Sequence, residues 1–335
     1  MSIRFAILGT ANIARKVGPG IQNSDHAELS GIASRSRPAA KEFAQALNIP
    51  LVFDSYEQAI SSPEIDAVYI PLPPALHAEW TIRAAEAGKH VLCEKPLARN
   101  SDEVARMIAA CQKNNVVLLD GVMWYHTERA ARIRNLISNG HLGSLRQISS
   151  AFTFHWDSMP MENIRMHRGM GGGSLLDLGW YCVGAILSLF NEMPERVFAT
   201  AQWHNHVDTR MNAILWFSQG RMASFECGFD TVRRRWIEVA GTERTLYCPD
   251  FTRPWSTETA AFTTLDGEGR QAVHSFRYVP QETCMVDAFC QLIRSHNIRH
   301  SWLELSRKTQ QVCDVLDHSA RTEQVVSVGE SECGM

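Results

Sequence analysis

Three stretches of this 335-residue chain place reactive or ligand-cradling residues at spacings that chemistry needs. The first is Gly9-Thr10-Ala11-Asn12-Ile13-Ala14, directly after the apolar run Phe5-Ala6-Ile7-Leu8. A tight turn at Gly9, a small residue at Ala11 where backbone can meet a pyrophosphate, and another at Ala14 for close helix packing answer the demands of a dinucleotide loop. The following helix would offer its first N–H groups to phosphate. Gly9, Thr10, Ala11, Asn12 and Ile13 are therefore candidate cofactor contacts. A glycine after a strand is by itself only a turn, so this reading rests on the strand–turn–helix context. About 20 residues later an NAD-selective fold would carry Asp or Glu against the ribose hydroxyls. This chain instead reads Ser34-Arg35-Ser36-Arg37. A guanidinium forks onto a 2′-phosphate and hydroxyls donate to it, so Ser34, Arg35 and Arg37 point to NADP, with NAD as the alternative.

The second stretch is Glu94-Lys95-Pro96, after an apolar run, where open α/β sheets bind ligands at their carboxyl edge. A lysine there could reach a substrate beside a nicotinamide. The third is Gly171-Gly172-Gly173-Ser174-Leu175-Leu176-Asp177-Leu178-Gly179-Trp180-Tyr181. Its glycines permit close backbone approach. Asp177 and Tyr181, four apart, fall on one helical face, as an acid and an orienting carboxylate would.

The elements that must position these groups follow from periodicity. Residues 3–8, 29–33, 52–53, 67–70, 91–93 and 116–119 are apolar or β-branched runs, separated by helical patterns at 13–22, 38–47, 56–61, 76–87 and 102–114. That alternation predicts a doubly wound parallel α/β sheet. Pro38 suits a first helical turn, Gly88 a helix end and Ser101 an N-cap. After Asp120 the rhythm changes to a helix at 128–138 and strands at 147–154, 196–202, 211–217, 222–229 and 235–240, with helices near 282–295 and 302–319. The expectation is a nucleotide domain at 1–121 and an α+β domain at 122–335 on an open, mainly antiparallel sheet, the helix at 302–319 packing back on the first.

Composition narrows the partners. With 33 Lys plus Arg against 36 Asp plus Glu, the net charge of -3 gives no electrostatic case for nucleic acid or an anionic membrane. The longest apolar stretch, 180–190, falls short of the ~20 residues that span a bilayer. The N-terminal apolar run is broken by Asn12, Arg15 and Lys16 before a secretory segment forms. The nine cysteines, Cys333 included, show no C-x-x-C pair and fit a reducing cytoplasm. His204 and His206 have no partners at zinc-site spacing, so no metal is expected. Eight of nine Trp and ten of thirteen His follow residue 121. Aromatics favour interfaces, so the second domain is expected to form a homodimer. Trp124, Trp156, Trp180, His155 and Arg165 are softer candidates, of which Trp124, His155, Arg165 and Trp180 are taken as substrate contacts.

The nucleotide loop, Asp66-Ala67-Val68-Tyr69-Ile70-Pro71-Leu72-Pro73, His77, Ala87 through Pro96 with its Glu-Lys-Pro, and the Gly-triplet segment together resemble one family. It is the glucose-fructose oxidoreductase, inositol dehydrogenase and rhizopine catabolism protein superfamily, and the resemblance spans nearly the whole chain. It implies an NAD(P)-binding Rossmann domain, a C-terminal open sheet that commonly mediates dimerisation, and oxidation or reduction of sugars, cyclitols or diols. By that resemblance Lys95 is the catalytic lysine and Asp177 the family carboxylate. Tyr181 marks the tyrosine branch of dihydrodiol dehydrogenases and several ketosugar reductases. Pro71, Leu72, His77, Glu94 and Lys95 join the cofactor contacts. Ala11 in place of the second loop glycine, Pro74 and Glu128 depart from the family pattern. The implied function is hydride transfer between NADP and a sugar, ketosugar or vicinal diol. A non-catalytic NADP-binding regulator of the same fold is the alternative.

Overall fold

The computed structural model describes residues 2–157 and 159–329. In its first unit, strands β1 (Ile3–Leu8), β2 (Ala27–Ala33), β3 (Leu51–Phe53), β4 (Ala67–Ile70), β5 (His90–Cys93) and β6 (Leu118–Asp120) alternate with helices α1 (Ala14–Gln22), α2 (Arg37–Leu47), α3 (Tyr56–Ser61), α4 (Pro74–Glu86) and α5 (Ser101–Lys113). The strands pair in parallel in the order β3-β2-β1-β4-β5-β6. Such strands are covered on both faces, which is why Ala67–Ile70 is buried at every position. The order reverses between β1 and β4, and ligand crevices of open α/β sheets form at such a switch point, outside the carboxyl ends. Gly9 and Pro71 follow those two strands.

Local capping places the helices. Ser36 caps α2 by accepting the Ala39 N–H, with a proline in the first turn. At α5 the cap is Asn100, not the expected Ser101: the Asn100 Oδ1 accepts the Glu103 N–H at 3.0 Å and Ser101 is already helical.

By compactness the first unit comprises Met1–Thr127 and Val279–Arg307, and the second Glu128–Tyr278 and Lys308–Met335. This differs from a division at residue 121, for a packing reason. Helix α8 (Gln281–Arg294) docks on the nucleotide sheet: Phe289 meets Phe5 with ring centroids 5.8 Å apart, and Ser24 Oγ bonds Asp287 Oδ1 at 2.5 Å. A side chain at Gly20 would place its Cβ 2.6 Å from that of Glu282, so glycine lets α1 and α8 touch. Of α9 (Ser301–Thr322), residues 301–307 belong to the first unit, where Trp302 stacks on Tyr125, and the remainder belongs to the second.

The second unit carries α6 (Glu128–Ser138), β7 (Leu145–His155), α7 (Trp180–Phe190), β8 (Arg196–His204), β9 (Val207–Trp216), β10 (Met222–Gly228), β11 (Asp230–Gly241), β12 (Arg244–Cys248), β13 (Thr259–Asp266), β14 (Gln271–Arg277) and β15 (Val326–Ser327). Among the described residues these strands form one sheet ordered β14-β13-β12-β11-β7-β10-β9-β8-β15. Every neighbouring pair is antiparallel except β7 with β10. Strands β12 to β15 were not evident from periodicity. The stretch Arg168–Phe190 is long and apolar enough to cross a bilayer, further than 180–190 alone suggested, but most of it is buried as a core helix is. All cysteines but Cys333, which lies outside the described residues, are free thiols, and only Cys284 is not fully buried.

Candidate active site

In the first unit the loop after β1 depends on Gly9. Its φ is +112°, and a Cβ there would meet Leu72 Cδ2 at 3.0 Å and the Tyr56 hydroxyl at 3.7 Å. Ala14 is fully buried where α1 packs on the sheet. The head of α1 is bare: Ile13 at the N-cap gives no side-chain bond and the first turn holds no acid. By contrast α5 has Asn100 as cap and Asp102 and Glu103 in its first turn. Ala11 is small and half-buried, and Thr10 and Ile13 are likewise partly exposed, with Asn12 exposed. The N–H groups of Ala14, Arg15 and Lys16 already meet the carbonyls of Ala11, Asn12 and Ile13, but a helix start with no side-chain cap or acid, entered through a left-handed glycine, keeps the positive end of its dipole for a pyrophosphate.

At the end of β2, Ser34 is buried while Arg35 and Arg37 are exposed. Arg37 already pairs with Asp54 at 2.7 Å. Arg35 faces Tyr56, whose phenol is pushed up by burial and pulled back by that guanidinium. Tyr56 thus links Gly9 and Arg35. Sequence reading missed it because a tyrosine opening an amphipathic helix looks like any core residue.

The next two strand ends shape one another. His77 is fully buried, with Nδ1 2.9 Å from the Pro96 carbonyl oxygen and Nε2 2.7 Å from that of Leu72. Burial lowers its pKa despite those carbonyls. With no exposed surface and both nitrogens engaged, His77 braces the Leu72 and Pro96 loops. Pro71 is buried and Leu72 half-buried over Gly9. Glu94 is buried, its Oε1 accepting from the Tyr69 hydroxyl at 2.7 Å and its Oε2 from the Lys95 N–H at 3.2 Å. Burial raises the Glu94 pKa, against the pull of Tyr69 and Lys95. A Cβ at Gly121 would come within 3.0 Å of Glu94, so glycine is required where this carboxylate packs. Lys95, two residues beyond the end of β5, is half-buried.

In the second unit the Gly triplet admits a neighbouring backbone. A Cβ at Gly172 would lie 2.5 Å from the Arg165 carbonyl oxygen, which accepts the Gly173 N–H at 3.0 Å. The Asn163 side chain accepts the Arg165 N–H at 3.0 Å. So fixed, Arg165 donates through Nε to Asp177 Oδ2 at 2.6 Å. Asp177 lies in a π-helical turn, Leu175–Gly179, whose end is marked by the Trp180 N–H donating to the Leu175 carbonyl. A widened turn of this kind is frequent at functional sites. Tyr181, in the first turn of α7, is half-buried and meets Phe152 edge-on with ring centroids 5.3 Å apart. Burial works against the Arg165 charge, but Asp177 and then Tyr181 hold its pKa above the ordinary value. A phenol within reach of a cation that is itself held by a carboxylate is equipped to give up and take back a proton.

The aromatic substrate candidates fare differently. Trp180 has no exposed surface and Trp124 is 4% exposed, its ring 4.7 Å from that of Tyr125. Both rings are buried within their own units. His155 is exposed and pairs with Asp157 at 2.6 Å. His204 and His206 are exposed at the β8–β9 turn. Among the described residues no cluster of three His, Cys, Asp or Glu could hold a metal.

Comparison with known proteins adds to this geometry. Residues 3–122 match a family model described as an oxidoreductase family with an NAD-binding Rossmann fold, and residues 130–247 match the GFO/IDH/MocA C-terminal domain. The chain is 36% identical to the NADP(+)-dependent D-xylose 1-dehydrogenase 2 of Haloferax volcanii, covering 95% of this chain and 97% of that one. It is 34% identical to the trans-1,2-dihydrobenzene-1,2-diol dehydrogenase of Xenopus laevis over 76% and 77% of the two chains. A 3-ketoreductase from Actinomadura kijaniata, solved with NADP and TDP-benzene, superimposes with a TM-score of 0.88 at 27% identity, covering 95% of this chain and 98% of that one.

Proposed function

The chain belongs to the GFO/IDH/MocA oxidoreductase family and is an NAD(P)-dependent oxidoreductase of CH–OH groups; from that premise we propose that it uses NADP and acts on a sugar, ketosugar or vicinal diol. The observation that carries the reading is the half-buried Tyr181 beside the Arg165–Asp177 pair at the head of one helix. NADP is favoured because the bare head of α1 suits its pyrophosphate and the Ser34-Arg35 edge suits its 2′-phosphate. The dehydrogenase from Haloferax volcanii and the ketoreductase from Actinomadura kijaniata, both named with NADP, support this.

The Gly9–Ile13 loop and the Ser34-Arg35 edge would hold the cofactor, which would supply hydride-transfer chemistry to the carbinol carbon. Tyr181 takes the hydroxyl proton in oxidation and protonates the carbonyl oxygen in reduction. An unperturbed phenol titrates near ~10, so a base at neutral pH needs a nearby cation. Arg165 is such a cation within the unit, and Lys95 is read as the catalytic lysine on the family resemblance alone. Asp177 orients Arg165 by its 2.6 Å bond.

The protein is further read as a homodimer through the outer face of the second unit's sheet, where Ile214, Met222, Tyr247 and Val273 are all exposed. Light scattering should give twice the mass of 37.6 kDa, and Ile214→Glu should return the monomer. A monomeric wild type would remove this part of the reading.

The enzymatic reading is tested by mixing the protein with NADP and a panel of aldoses, cyclitols and trans-diols and following absorbance at the nicotinamide wavelength. Oxidation of one class is expected. Binding of NADPH with no turnover across the panel, in either direction, would defeat it.

A further inference from the structure

The carboxylate of Asp208 has no part in the chemistry proposed above, yet it is buried, 6% exposed, near the start of β9. Its Oδ2 accepts two bonds from the head of the helical segment that carries Asp177 and Tyr181: from the Ser174 hydroxyl at 2.7 Å and from the Leu175 N–H at 2.7 Å. Ser174 is itself fully buried and its Oγ lies 3.5 Å from Cys227 Sγ on β10. The backbone is shaped to admit the carboxylate. Gly173 has φ +116°, and a Cβ there would lie 2.1 Å from Asp208 Oδ1. A second close contact lies at the far end of the π turn, where a Cβ on Gly179 would meet Cys227 Sγ at 3.1 Å. The segment is therefore held to the sheet at both ends, by a charge-assisted clamp at its head and by glycine packing just before Trp180.

We propose that Asp208 is a positioning residue for the active site, its carboxylate clamping the head of the 174–181 segment so that Asp177 and Tyr181 are presented in reactive register. An N–H at a helix start with no intrahelical partner is satisfied here by a carboxylate 33 positions away in sequence, so the clamp ties the helix to a strand. From Leu175 to Tyr181 the helix rises about 9 Å, and a misplacement of about 1 Å at a reacting group costs about 10²-fold in rate. The proposal rests on the reading of Tyr181 as the proton-transfer group.

The test compares Asp208→Ala, Asp208→Asn, Ser174→Ala and Tyr181→Phe with the wild type. Turnover is measured with NADP and D-xylose, D-glucose and trans-cyclohexane-1,2-diol, NADPH affinity by fluorescence, and amide hydrogen exchange along the chain. Asp208→Ala should lower kcat by roughly 10- to 10²-fold with NADPH affinity within about twofold. Its exchange should quicken by about tenfold or more over 174–181 alone, since a local anchor is lost and not the whole fold. Asp208→Asn, whose amide oxygen can accept the same two bonds, should restore kcat to within about threefold. Ser174→Ala, which removes one donor, should fall between. A folded Asp208→Ala with wild-type kcat, or one whose exchange quickens evenly along the chain, overturns the proposal. If Asp208→Ala does not fold, wild-type kcat and exchange in Ser174→Ala overturn it. Exchange needs no substrate, so it reports on the clamp even if Tyr181→Phe proves fully active, a result that would remove the reading of Tyr181 and not the clamp.

Discussion

Two helix starts in this molecule follow opposite designs. The head of α1, in the first unit, has a left-handed glycine before it, no side-chain cap and no acid in its first turn. The head of the 174–181 segment, in the second, also follows a left-handed glycine but is stapled by the buried carboxylate of Asp208. The same backbone feature, the positive end of a helix, is thus put to two uses. Left without a side-chain anion it can receive a phosphate. Closed by an internal carboxylate it cannot, and becomes a fixed mount for the side chains that follow. A helix start is a receptor or an anchor according to whether the chain supplies its own anion.

That contrast can be broken from either side. Placing an acid at the bare end should do most: Ala11→Asp sets a carboxylate where the pyrophosphate would lie, and like charges at a recognition site cost several kcal/mol, about 10²-fold or more in NADPH affinity. A fluorescence titration checks this, and unchanged affinity would mean that α1 does not receive phosphate. Next in size, Arg165→Ala removes the cation beside Tyr181 and should lower kcat by roughly 30-fold with NADPH binding unchanged, as expected for the loss of one preorganised charge. Arg35→Asp should reduce the preference for NADP over NAD by about tenfold, through repulsion of the 2′-phosphate. Parallel titrations with the two cofactors measure it, and Arg37, already paired with Asp54, should matter less.

The smallest effect concerns the anchor's charge. Burial pushes the Asp208 carboxyl up to about 6, against the pull of Ser174 and the Leu175 N–H, with Asp317 adding like charge. The native state therefore holds this proton more tightly than the unfolded chain, whose Asp titrates near ~3.9. Its stabilising contribution is complete below that value and is lost as pH rises through about 6. Asp208→Asn lacks this loss. Its Tm relative to the wild type should rise by a few degrees between pH 4 and pH 7, on the order of 1–3 kcal/mol. A Tm difference independent of pH would contradict a buried, titrating carboxylate.

Much of the first unit was legible because parallel strands buried on both faces read as unbroken apolar runs, as in Ala67–Ile70. The strands β13 and β14 were not. The stretch Gln271–Arg277 is exposed at most positions and Thr259–Asp266 is rich in threonine, so neither carries a strong apolar signal. The docking of α8 on the nucleotide sheet could not be read either, since an amphipathic helix does not say which sheet it covers. In the candidate site, Lys95, Asp177 and Tyr181 stood out by motif. The pairing of Arg165 with Asp177, the role of Tyr56 and the clamp of Asp208 on Ser174 are contacts between residues distant in sequence. Periodicity carries no information about such contacts.

The most direct measurement is the steady-state rate of Tyr181→Phe beside its affinity for NADPH. If Tyr181 moves the proton, removing its hydroxyl should lower kcat by about 10²-fold or more while NADPH affinity stays within about twofold of the wild type. Turnover at the wild-type rate in that variant would contradict the proposed chemistry.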